Sequence, residues 1–228
     1  MDGNMNTVVS AQGGPRSSAA ASFIAGSLRI LTGVVPRFTA ALPEGRQFVF
    51  YSNHTSHLDA VVLWSLLPTS VRYRTRPVAA QDYWLKGRIR RFLARRVFNV
   101  ILVTRGGQHS GQGVTSSRRT IHQSLIDMTA ALEEGSSLIL FPEGTRGTGD
   151  RIAPFKSGLY HIARLNPSVL LVPVYMENLN RILPKGEFLI VPLICNAHFG
   201  TPFQLDDGEP KSSFLERAKQ AMEELRDR

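Results

Sequence analysis

RQFVFYSNHTSHLDAVVLWSLL, residues 46–67, carries the pattern that decides the fold. Phe48-Val49-Phe50-Tyr51 is a short unbroken apolar run and reads as a buried strand. A polar stretch, Asn53 to Asp59, turns the chain. HLDAVVLWSLL then puts Leu58, Val62 and Leu66 on one face at four-residue spacing, which predicts a helix.

The strand–turn–helix unit recurs downstream. VRYRTRPVAA (71–80) reads as a strand, and DYWLKGRIRRFLARRVF (82–98) as one basic amphipathic helix with Leu85, Ile89, Phe92 and Leu93 on its stripe. NVILVTR (99–105) is a short strand followed by the glycine-rich GGQHSGQG, which lacks the lysine and spacing of a phosphate-cradling loop. A helix from about Ser117 aligns Ile121, Leu125, Met128 and Leu132 and stops at Gly135. SSLILF is a strand running into PEGTRG, SGLYHIARL a short helix, and SVLLVPVYM and EFLIVPLIC two further strands. The last helix is expected near Ser213, where Ser213 and Glu216 have capping-box spacing. Phe214, Ala218, Met222 and Leu225 give it an apolar side.

Such alternation predicts a single α/β domain, a mixed, mainly parallel sheet flanked by helices, over residues 43–228. Residues 1–22 are small, polar and Gly/Ser-rich, and are expected to be a disordered leader. Residues 23–42 form an amphipathic segment that Arg29, Pro36 and Arg37 make too broken to span a bilayer. Two readings of it stay open: lying on a membrane, or packing on the domain.

A net charge of +9 over 228 residues favours anionic partners. No RNA-recognition, helix-turn-helix or zinc-finger pattern supports nucleic acid. The single cysteine, Cys195, excludes a disulfide framework and reads as a buried thiol.

NHTSHLD (53–59) poses the chemical choice. Two residues separate its histidines and none follows Asp59, so it lacks the spacing of an H-x-H-x-D metal cluster, and no metal site is read here. The alternative pairs His54 with Asp59: the carboxylate bends back to one imidazole nitrogen, fixes the tautomer and leaves the other nitrogen as a base. His57 reads as a structural or rim residue. FPEGTRG (141–147) sits beyond another strand end, so both motifs are expected to converge where open α/β sheets bind ligands. Glu143 and Arg146 bring opposite charges there, and Arg105 adds a forked guanidinium suited to phosphate.

These motifs resemble the glycerolipid acyltransferases, in particular the 1-acylglycerol-3-phosphate type. NHTSHLD matches the family's first block, FPEGTRG the third and VLLVPV, with Pro173, the fourth. NVILVTR matches the second loosely, keeping Arg105 but replacing the usual glycine and phenylalanine by Asn99 and Leu102. The resemblance implies a fold of that family and acyl transfer from acyl-CoA or acyl carrier protein to the sn-2 hydroxyl of 1-acyl-sn-glycerol-3-phosphate, giving phosphatidic acid. It implies His54 as base and Asp59 as its orienter, with Arg105, Glu143, Gly144, Thr145 and Arg146 lining the phosphate site and Lys156 as a further candidate. Backbone N–H groups near Asn53 and His54 are candidate oxyanion donors. No cofactor is expected beyond the thioester co-substrate. The alternative acceptor is another lysolipid, such as a lyso-ornithine lipid. Partners would include a membrane surface with anionic lipid, met at its cytoplasmic face by a peripheral enzyme through residues 23–42 and 82–98.

Overall fold

A computed structural model of the chain describes residues 19–56, 58–104, 114–149, 151–177 and 195–227. Seven strands form its sheet: β1 Val34–Phe38, β2 Phe48–Ser52, β3 Thr75–Ala80, β4 Ile101–Val103, β5 Ser137–Leu140, β6 Leu170–Met176 and β7 Cys195–Phe199. Their order is β1-β7-β6-β2-β5-β3-β4. Only the β6–β7 pair is antiparallel, so β1 and β7 run against the other five. The mixed, mainly parallel α/β domain expected from the alternation is what the chain forms.

β2 lies at the centre, with Tyr51 opposite Leu140 of β5 and Pro173 of β6. Its five residues are all buried, because helices cover both faces of the sheet. Phe48 and Phe50 point to one layer, Val49 and Tyr51 to the other, as the two-residue period requires. The first layer holds α1 (Ala19–Thr32) and α2 (Asp59–Leu66). The second holds α6 (Val114–Glu133), α7 (Gly158–Leu165) and α8 (Lys211–Arg226). Parallel β2 and β5 end side by side, which brings the turns that follow them to one edge of the sheet.

The helix expected here is α2, and it is buried all round: all eight of its residues are buried. It lies between the sheet and α1, which presses Ala21 and Ala25 inward. Arg29 of α1 donates from Nε to Ser65 O at 2.6 Å and from Nη2 to Leu67 O at 3.3 Å, satisfying carbonyls that end α2. Residues 23–42 are therefore not one amphipathic segment: α1 packs on the domain, and Val34–Phe38 is an edge strand, where Pro36 withholds no needed donor. α1 begins at Ala19, inside the stretch expected to be a disordered leader.

The single helix expected over 82–98 is broken. Two short helices, α4 (Gln81–Trp84) and α5 (Arg88–Phe92), flank Gly87 at φ 87°, and a π-turn follows at Leu93–Val97. A left-handed residue cannot continue a right-handed helix, so the stripe from Leu85 to Leu93 is split. The strand expected from residue 71 starts at Thr75, after a helical turn α3 at Thr69–Arg72. α8 starts after Pro210, whose fixed φ suits a helix entry, so the Ser213–Glu216 capping box is not its start. Its Phe214, Ala218, Met222 and Leu225 are buried as expected.

Ile121, expected on the packed face of α6, is exposed, while Met128 and Leu132 are buried. Gly135 ends α6 at φ 85°, its N–H on Leu132 O at 2.9 Å. EFLIVPLIC lies outside the described residues except for Cys195, which opens β7. That thiol is free and buried; burial, and then the Glu177 carboxylate, push its pKa up.

Candidate active site

β2 ends at Ser52, and the chain turns through Asn53–Ser56 before α2 begins at Asp59. Asn53 fastens this turn to the neighbouring strand: its Nδ2 donates to Met176 O at 2.9 Å, and its Oδ1 accepts from Met176 N at 2.8 Å. The side chain thus extends the β2–β6 ladder by one step beyond the strand.

Asp59, fully buried at 0% exposure, is the first residue of α2, where the helix dipole favours an anion. Its Oδ2 accepts three hydrogen bonds: Thr55 N at 2.6 Å, Ser56 N at 2.9 Å and His54 Nδ1 at 2.9 Å. With backbone donors locking the carboxylate, Nδ1 must be the protonated ring nitrogen. The lone pair of the neutral ring is therefore on Nε2, which no described residue engages. The ring lies flat on Phe141, centroids 4.4 Å apart at 26°, which fixes its tilt.

The two motifs meet on His54. Glu143 is 4% exposed; its Oε1 accepts from His54 N at 2.8 Å and its Oε2 from Ala153 N at 2.9 Å. Gly147 N donates to His54 O at 2.8 Å. Both backbone polar groups of His54 are thus held by PEGTRG. Both oxygens of Glu143 are thus engaged by backbone N–H groups that shape the turn, and the N–H groups of His54, Thr55 and Ser56 by Glu143 and Asp59.

A cavity of about 280 Å³ opens beside the imidazole. Val78, Ala79, Trp84, Met128, Leu140 and Leu159 give it apolar walls, and Gly144 and Lys156 stand at its polar side with His54. Gly144, at φ 70°, closes its turn through N–H to Phe141 O at 2.9 Å. A Cβ there would meet Lys156 Nζ at 2.5 Å, so the ammonium lies directly over the glycine. Thr145 and Arg146 are exposed in the same turn. Arg105 and His57 lie outside the described residues. Among the described residues, no group of three or more His, Cys, Asp or Glu side chains is placed to hold a metal ion.

The sequence reading brought His54, Asp59, Gly144 and Lys156 to one place, as the structure does. It missed Phe141, the aromatic residue immediately before PEGTRG.

The arrangement is an oriented imidazole facing an apolar slot with an ammonium at its rim, fit to take a proton from a hydroxyl on an amphiphile. Comparison with known proteins agrees with that class. The family model described as Acyltransferase matches residues 36–177, more than half of the chain, and the chain belongs to that family. It is 31% identical over 143 residues to a chloroplastic 1-acyl-sn-glycerol-3-phosphate acyltransferase of Brassica napus, covering 61% of this chain and 35% of the relative. It is 29% identical over 145 residues to the human 1-acyl-sn-glycerol-3-phosphate acyltransferase alpha, covering 64% and 46%. A lyso-ornithine lipid O-acyltransferase of Brucella abortus is 29% identical over 133 residues, covering 58% and 43%. The matches thus span less than half the length of these relatives. The fold resembles the crystal structure of the 1-acyl-sn-glycerophosphate acyltransferase PlsC of Thermotoga maritima, at TM-score 0.68 and 16% identity over 91% of this chain and 78% of that one.

Proposed function

We propose that the chain transfers an acyl group from acyl-CoA or acyl carrier protein to the free sn-2 hydroxyl of 1-acyl-sn-glycerol-3-phosphate, giving phosphatidic acid. The observation that carries this is the Asp59-oriented His54, whose unengaged Nε2 opens on an apolar cavity flanked by Lys156. Nε2 takes the hydroxyl proton as the oxygen attacks the thioester carbonyl carbon. Collapse of the tetrahedral adduct breaks the C–S bond and expels a thiolate, which leaves readily because its thiol pKa is only about 8.5. Lys156, with Arg105, Thr145 and Arg146 of the matched motifs, would hold the acceptor phosphate; Gly144 lets the backbone turn beneath it.

Acceptor and product are lipids, so the enzyme would work peripherally against an anionic membrane surface at its cytoplasmic face. No helix among the described residues is long and apolar enough to cross a membrane. The Brucella relative supports a second acceptor, a lyso-ornithine lipid, which has no phosphate for Lys156 to meet. Purified chain offered lysophosphatidic and lyso-ornithine acceptors with each donor, beside His54→Ala, tests the reading. Product from the phosphate acceptor that vanishes in the variant supports it; full rate in the variant overturns it.

A further inference from the structure

We propose that the surface carried by residues 86–96 is a docking face for an anionic lipid bilayer and sets the mouth of the His54 cavity against the headgroups; this rests on the lipid-acceptor reading above. Lys86, Arg88, Arg90, Arg91, Arg95 and Arg96 are all exposed along it, and no carboxylate lies between them. The 86–96 surface is therefore a run of six exposed cations with no acidic residue within it, in a chain of net charge +9.

Charge alone would suit any anion. Two large apolar side chains select among them. Ile89 and Phe92, 76% and 60% exposed, sit three residues apart on α5 and so share one side of it. The break at Gly87 puts them there, by turning α5 away from the stripe that Leu85 would have continued. Apolar side chains ringed by guanidinium groups match an interface where the former enter the acyl boundary and the latter meet lipid phosphates.

The inner side of the same element reaches the active site. Tyr83 and Trp84 of α4 line the cavity that holds His54, and the Arg90 guanidinium stands 4.5 Å over the Tyr83 ring. An acceptor anchored in the bilayer by its own acyl chain could then present its hydroxyl to His54 without leaving the lipid phase.

Flotation of the purified full chain with vesicles tests this, using phosphatidylcholine alone or phosphatidylcholine with phosphatidylglycerol. Binding is expected only to the second kind, and it should weaken as salt rises. Arg88→Glu with Arg95→Glu should cut that binding about tenfold or more, and Ile89→Ser with Phe92→Ser by a similar factor. All four side chains are exposed, so both variants should melt like the parent. Turnover of a water-soluble short-chain lysophosphatidate should stay at the parent rate in both. If the parent shows no turnover at all, the acyl-transfer reading fails while vesicle binding still judges the docking face. Equal binding to both vesicle types, or variants that float like the parent, overturns the docking face. A defect confined to acyl-carrier donors, with flotation intact, also overturns it and makes the surface a protein dock.

Discussion

The backbone N–H of His54 donates to Oε1 of Glu143 at 2.8 Å, across 89 positions of sequence. Through its second oxygen on Ala153 N, the same carboxylate spans the PEGTRG turn and the segment beyond it. Two turns that leave neighbouring parallel strands are thereby locked into one body. From this geometry Glu143 is expected to act on the proposed reaction through the placement of the base.

Glu143→Ala should therefore lower kcat rather than raise the acceptor KM. A misplacement of about 1 Å at a reacting group can cost about 10²-fold in rate, and that is the expected loss. Steady-state kinetics with varied acceptor separates the two parameters. An unchanged kcat with a raised KM would return Glu143 to the acceptor site.

His54→Ala should remove the base outright, for a loss of about 10²–10⁴ in kcat. Asp59→Asn should fall in the same range by another route. Its side chain can no longer accept three N–H groups at one charged oxygen, so the ring loses the bond that fixes its tautomer. Because Asp59 is buried, the variant should also melt at lower temperature. Comparing kcat and Tm distinguishes the pair: His54→Ala changes mainly the first, Asp59→Asn both.

Lys156 tests which acceptor the cavity takes. A hydrogen bond to a charged group contributes about 1.5–3 kcal/mol, so Lys156→Ala should raise KM for a phosphate-bearing acceptor about tenfold or more and leave a zwitterionic one little changed. Gly144→Ala should mimic this by pushing the ammonium off its seat. It should also destabilise the fold by about 1–2 kcal/mol, since φ is 70° there. Equal effects on both acceptors would detach Lys156 from phosphate recognition.

The layered α/β architecture could be read from the sequence because strands buried on both faces are written as unbroken apolar runs, as at Phe48–Tyr51. His54 and Asp59 were legible because they are five residues apart in one turn. What hid was long-range or local in its backbone. The tie from Glu143 to His54 hid because the two come together only once β2 and β5 lie side by side. The split at Gly87 hid because six cations and an apolar stripe scan as one helix, while a single positive φ decides otherwise. The burial of α2 on every side hid because α1 covers its outer face, which a one-dimensional pattern does not show.

Stability at acid pH should report a second carboxylate, far from the cavity. Glu209 accepts from Arg217 Nε at 2.9 Å, and this hydrogen bond is the chief reason its carboxyl lies below its ordinary 4.5; burial opposes the shift, and the Asp206 N–H adds to it. Arg217 also stands 4.7 Å over the Phe203 ring, so the pair ties α8 to the segment before it. The unfolded chain, with the higher pKa, takes up the proton first as pH falls. The contribution is thus full above the unfolded value and fades as pH drops through the folded one. Thermal melts of the parent and Glu209→Gln should differ most near neutral pH, with the gap closing below about pH 4.5. A gap that stays constant down to about pH 3 would mean that the charge on Glu209 contributes nothing, leaving only the shape of the hydrogen bond.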